Sequence, residues 1–224
     1  MPSASDTNGL GQPNGIPGGF RFGQMNESPA GYADYGQNYL TTSAAILDDF
    51  TRINDWNSLT RTLSTLNFSI ETVGINQPNR DSLIVGYRAG DKTIVMDCRN
   101  ESEGFRRYFA TLLALNQAPS KATLLFEHPE HAIHPGALET LANEFKRYVK
   151  RGRGQVILTT HSPQFLDNFE PEQIRVVEIE NQQTKIGRLA SEQAEGLRRK
   201  LLSPGELLTV DPARLEGELA EAAY

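Results

Sequence analysis

At 224 residues, with 38% hydrophobic and 22% charged side chains, the chain has an ordinary globular composition and enough length for one substantial domain. A formal net charge of -6 argues against a whole-protein electrostatic grip on nucleic acid, leaving DNA as a partner reached locally or through a complex. The single cysteine, Cys98, excludes an internal disulfide, and no apolar run is long enough to cross a bilayer, so a cytoplasmic protein without a membrane partner is expected.

From Met1 to about Tyr39 the chain is crowded with Gly, Asn, Pro, Ser and Gln, and apolar residues come only singly. Such a segment buries too little surface to offset its ordering entropy, which predicts a disordered tail over residues 1–39. From Ala44 to Leu66 apolar residues recur at helical spacing, predicting one or two amphipathic helices. The texture then changes. FSIETVGI, SLIVGYR and TIVMDC are short runs rich in β-branched residues, separated by turn-like segments, and predict an antiparallel meander. Glu103 to Leu115 returns to a helical pattern.

ATLLFE, from Ala122, is an apolar run without polar alternation, as expected of a strand buried on both faces. A helix from about Pro135 to Lys150 follows, closed by Gly152 and Gly154. QVILTT is a second apolar strand, SPQFLDNF a short helical turn, and IRVVEIE a third strand. Strand, helix, strand, helix, strand predicts all three strands parallel in one sheet. The remainder, 191–224, reads as a charged helical end.

In parallel α/β sheets ligands gather at the carboxyl ends of the strands. There the chain carries Glu127-His128-Pro129-Glu130-His131, with His134 close behind, and, after the second strand, His161-Ser162-Pro163. All four histidines therefore sit at the ends of two strands expected to be neighbours.

Three segments, in order, resemble the ABC-type ATPase heads of the RecF, SMC and overcoming-lysogenization-defect group. ESEGFRRYFATLLAL is similar to the signature segment, with Ser102 and Gly104 at the Ser and Gly of its LSxG pattern. LLFEHPEHAIHP is similar to the Walker B strand and D-loop, and VILTTHSPQFLD to the switch-histidine segment. The resemblance implies an α/β fold: the C-terminal part of a P-loop parallel-sheet core, preceded by a small antiparallel meander and a disordered N-terminal tail. It places the ATPase-like domain over 40–190. It further implies ATP with Mg²⁺ as cofactor, Glu127 as the metal carboxylate, His128 where a water-orienting Glu usually stands, and His161 at the γ-phosphate. Ser102, Gly104 and Glu130 become nucleotide-contacting positions, the first two across an interface in a homodimer or with a partner subunit.

A Walker A loop should read G-x-x-x-x-G-K-S/T between a strand and a helix, so that backbone amides cradle the phosphates. The nearest segment, Gly86 to Thr93, has Asp91 where the second Gly belongs and runs on into strand-like TIVMDC, which predicts a hairpin turn at Gly90 instead. The implied activity is that of a partial or split ATPase, inactive alone, in DNA repair or phage defence. Two other classes fit the residues. One is a metal-dependent hydrolase built on His128, Glu130, His131, His134 and His161; the other is a non-catalytic docking module for a complete ATPase.

Overall fold

The computed structural model describes residues 55–76, 82–117, 120 and 122–216, all within the compact unit Asp34–Tyr224. The predicted tail, and the first part of the predicted amphipathic segment, lie outside the described residues.

Helix α1 (Trp56–Leu66) starts where the Asp55 carboxylate accepts the Ser58 N–H at 2.8 Å, satisfying one orphan donor of the first turn. It buries Leu59 and Leu63 against the meander β1 (Ile70–Ile75), β2 (Leu83–Ala89) and β3 (Lys92–Asp97). These strands are antiparallel in the order β1-β2-β3, with Val73 opposite Val85 and Val85 opposite Met96. The segment compared with a Walker A loop is the β2–β3 hairpin. Ala89 pairs with Lys92, and Gly90 takes a φ of 65° that a side chain would resist.

Helix α2 (Glu103–Leu115) has the bounds its apolar spacing predicts. Ser102 is its N-cap and accepts the Phe105 N–H at 3.2 Å. Tyr108, Phe109, Leu112 and Leu113 are fully buried, so α2 runs through the middle of the main core. Strand β4 (Thr123–Glu127) pairs in parallel with β5 (Gln155–Thr159), and helix α3 (Leu138–Lys150) forms the crossover, led in by a 3-10 turn at Pro135–Ala137. After β5, the four-residue helix α4 (Pro163–Leu166) drives Phe165 into the core. A chain of aromatic contacts joins these elements: Phe126 on Phe145 at 5.0 Å, Phe145 on Phe165 at 6.4 Å, and Phe165 on Phe169 at 5.3 Å.

Two expectations are corrected. IRVVEIE does not join the parallel pair; it is β6 (Arg175–Glu180) and pairs antiparallel with β7 (Gln183–Arg188). Asn181 and Gln182 carry the hairpin turn at φ of 50° and 64°, and this short loop closes at far less entropic cost than a non-local pairing. Nor are β4 and β5 buried on both faces. Leu124 and Phe126 turn to the core, whereas Leu125 is 65% and Ile157 46% exposed, because no described element covers that side of the pair.

The described part of the C-terminal segment, 191–216, holds two helical elements. Helix α5 (Ser191–Arg198) is followed by a 3-10 helix at Pro204–Leu208 and a bridge between Leu189 and Leu215. Val176, Leu189, Leu197, Leu207 and Leu215 form a second small core there. It is tied to α4 by the Gly205 N–H, which donates to the Asp167 carboxylate at 2.6 Å. Among the described residues no helix is long and apolar enough to cross a membrane.

Candidate functional site

The parallel pairing puts Glu127 opposite Thr159, so the loops after β4 and β5 leave the sheet side by side. The first loop, 128–134, is tightly wound. His128 takes a φ of 45° and Ala132 a φ of 62°, left-handed values that cost L-residues of order 1–2 kcal/mol each. Compensating hydrogen bonds hold it: the His128 N–H donates to the Thr159 carbonyl at 3.1 Å, His131 N–H to the His128 carbonyl at 3.0 Å, and Ile133 N–H to the Glu130 carbonyl at 3.1 Å.

The result is a stacked pair of imidazoles. The rings of His128 and His161 lie 5.1 Å apart, centroid to centroid, inclined by 30°. Glu130 lies beside them, its Oε1 3.6 Å from His128 Nδ1, with only 9% of its side chain exposed. The same Oε1 accepts the Thr160 hydroxyl at 2.6 Å, while Oε2 is buried without a partner among the described residues. His128, Glu130, His131, His161 and Ser162 line an open depression of about 500 Å³.

Of the residues singled out in the sequence, the structure gathers His128, Glu130 and His161 in this depression, with His131 at its edge. Glu127 ends β4 on the exposed face that also carries Leu125, and its carboxylate accepts no hydrogen bond among the described residues. Ser102 and Gly104 do not line the depression; Gly104 instead lies against Ala132 and Ile133 of the loop. A Cβ on Gly104 would fall 2.3 Å from the Ala132 carbonyl oxygen, so the loop rests directly on the first turn of α2. His134 is a helix-start residue. Its Nδ1 accepts the Gly136 N–H at 3.1 Å, capping the 3-10 turn.

Sequence reasoning missed Thr160 and Ala132. The only signal for Thr160 was a hydroxyl one residue before a singled-out histidine; nothing local marks Ala132 as left-handed. Among the described residues no three His, Cys, Asp or Glu side chains converge as a metal-holding group. Glu127 nevertheless suits Mg²⁺ brought by a nucleotide, since that ion takes one or two protein carboxylates and fills its shell with phosphate oxygens and water.

A family profile described as "AAA domain, putative AbiEii toxin, Type IV TA system" matches residues 18–167, more than half of the chain. The chain belongs to this family. The matched span takes in the meander, the signature-like segment, β4, its loop and β5, and it begins inside the stretch 1–39. Among solved structures, this AAA domain resembles an SMC head bound to the C-winged helix domain of ScpA, with a TM-score of 0.51 at 18% identity over 75% of this chain and 59% of that one. That likeness shows the fold: a mixed α/β domain of the SMC-head type with a parallel sheet. Two further heads are similar. One comes from work on ATP-driven dimerization and DNA-stimulated activation of SMC ATPases, with TM-score 0.49, 16% identity, 70% of this chain and 95% of that one. The other carries a coiled coil and joint and derives from Pyrococcus yayanosii, with TM-score 0.46, 14% identity, 70% of this chain and 30% of that one. The chain thus spans less than two thirds of two of these three relatives. No curated protein matches it significantly.

Proposed function

We propose that this AAA domain is the catalytic-side half of a split ATPase head, which turns over ATP when a partner subunit or second copy supplies a Walker A loop. The observation that carries the reading is the juxtaposition of His128, Glu130 and His161 at the carboxyl ends of two parallel strands, with a Glu127 carboxylate that no hydrogen bond among the described residues engages ending the first. Phosphoryl transfer asks the protein mainly to position groups and to neutralise charge. In this reading Glu127 holds the Mg²⁺ of Mg-ATP, and the bound ion supplies charge neutralisation at the phosphates. His161 donates a hydrogen bond to the γ-phosphate. His128 orients the attacking water from the position where a Glu usually stands, and turnover is expected to be slow even when the site is complete.

Ser102 lies exposed at the N-terminus of α2, where free amides and the helix dipole favour an anion, and in this reading it meets the γ-phosphate bound by the opposing subunit. ATP-driven dimerization and DNA-stimulated activation are the named properties of one SMC-type relative, and the same behaviour, in DNA repair or phage defence in the cytoplasm, extends the proposal here. The reading predicts negligible hydrolysis by the chain alone. Most of the binding energy for a triphosphate comes from an amide cradle with its Lys, whereas the segment closest to that pattern is the β2–β3 hairpin.

The test is phosphate release from the purified chain, alone and mixed with Walker A-bearing candidate partners, for wild type, Glu127→Gln and His161→Ala. Release only in a mixture, abolished by either substitution, supports the split head. Robust release by the chain alone overturns it. Partner binding without release in any mixture assigns the surface to docking.

A further inference from the structure

We infer that Thr160 is a positioning residue that locks the two site loops together, so that His128, Glu130 and His161 act as one rigid group; its catalytic consequence rests on the ATPase reading above. Thr160 is the first residue beyond β5 and is half-buried. Its hydroxyl is used in both directions, donating to Glu130 Oε1 at 2.6 Å and accepting the Ser162 N–H at 3.0 Å. The first bond crosses from the loop after β5 to the loop after β4; the second pins the backbone on the far side of His161. One hydroxyl therefore fixes the residues on both sides of one imidazole and the carboxylate beside the other.

The surroundings leave little to replace it. Glu130 is 9% exposed, and its second oxygen has no partner among the described residues, so the Thr160 bond is the side chain's principal anchor. Removing it strands a buried carboxylate and an unpaired amide, each of which seeks water or a new partner by moving. The 128–134 loop carries two left-handed residues and has a reason to relax once released. An error of about 1 Å in such a group is enough to lower a positioned reaction by on the order of 10²-fold.

The experiment uses the full chain labelled with ¹⁵N-histidine and reads the imidazole correlations by NMR at one pH without nucleotide, with thermal melts alongside. Thr160→Val keeps the shape and deletes both hydrogen bonds; Thr160→Ser keeps both. The expected result is that the His128 and His161 signals move or broaden in Thr160→Val and stay in place in Thr160→Ser. Unmoved His128 and His161 signals in Thr160→Val, or equal movement in Thr160→Ser, overturn the inference. Glu130→Ala breaks the same bond from the other end without stranding a carboxylate. It carries the test through the His161 signal if Thr160→Val does not fold. In a complex that releases phosphate, Thr160→Val should slow release roughly 10²-fold and Thr160→Ser should restore it. Absence of release from every wild-type mixture sinks the ATPase reading, while the NMR outcome still decides whether the lock exists.

Discussion

Replacing Gly104 by Ala tests whether the strained loop is seated on α2. The added Cβ would lie 2.3 Å from the Ala132 carbonyl oxygen, 3.3 Å from its carbonyl carbon and 3.6 Å from Ile133 Cα, all backbone atoms that cannot rotate away. The closest approach falls short of ordinary contact by roughly 1 Å. Ala132 already sits at a φ of 62°, so either the loop or the first turn of α2 must shift. Overpacking of this kind costs about 1–3 kcal/mol, offset by the gain of roughly 0.5–1 kcal/mol from removing a helical glycine. Because the clash is with backbone, the upper half of the overpacking range applies, about 2–3 kcal/mol, and the net loss is about 1–2.5 kcal/mol, or a Tm drop of roughly 2–10 °C for a domain of this size. Gly196, inside α5, is the matched control: a Cβ there meets nothing within 4 Å. The same substitution should stabilise at that position by about 0.5–1 kcal/mol. Two identical changes thus move the melt in opposite directions, read by circular dichroism, with the His128 and His131 NMR signals displaced only by Gly104→Ala. A Gly104→Ala melt at or above wild type would refute the seating of the loop on α2.

Phe165 is fully buried between Phe145 and Phe169, and Phe165→Ala should cost about 3–5 kcal/mol, seen as a large fall in the denaturant midpoint. A loss under about 1 kcal/mol would mean that α4 is not part of the core. Cys98 is buried, and burial, reinforced by the charges of Glu101 and Asp97, pushes its thiol up to about 12; a thiol-specific reagent at pH 8 should therefore modify it only as the protein unfolds, and rapid labelling of the native chain would contradict that. Burial outweighs Arg147 and Arg151 at Glu144 and raises its carboxyl above 4.5, so the folded state holds that proton longer than the unfolded chain and stability falls as pH rises from 4.5 through the raised value. Glu144→Gln should melt no lower than wild type at pH 7, and the two should converge below pH 4.5. A lower melt at pH 7 would show that the Arg147 pairing outweighs the burial.

Local chemistry determined much of this domain. Apolar spacing together with a Ser at the cap is enough to bound α2 at Glu103–Leu115, since both signals lie within a few residues of the ends they mark. The β2–β3 turn follows from Gly90, whose positive φ is intrinsic to the residue. The meeting of His128 and His161 follows from two apolar strands joined by one helix, because that order forces a parallel pair whose carboxyl ends coincide. What the tertiary structure alone decided is non-local. β7 (QTKIGR) is largely exposed and has no apolar period, so no pattern announces that it captures β6. Leu125 and Ile157 are apolar whether or not anything covers them, so exposure of one face of β4 and β5 cannot be read from their composition. The contact of Ala132 on Gly104 and the bond from Thr160 to Glu130 join residues 28 and 30 positions apart. Each depends on where two loops meet in space, and propensity, a property of neighbours along the chain, carries no information about that meeting.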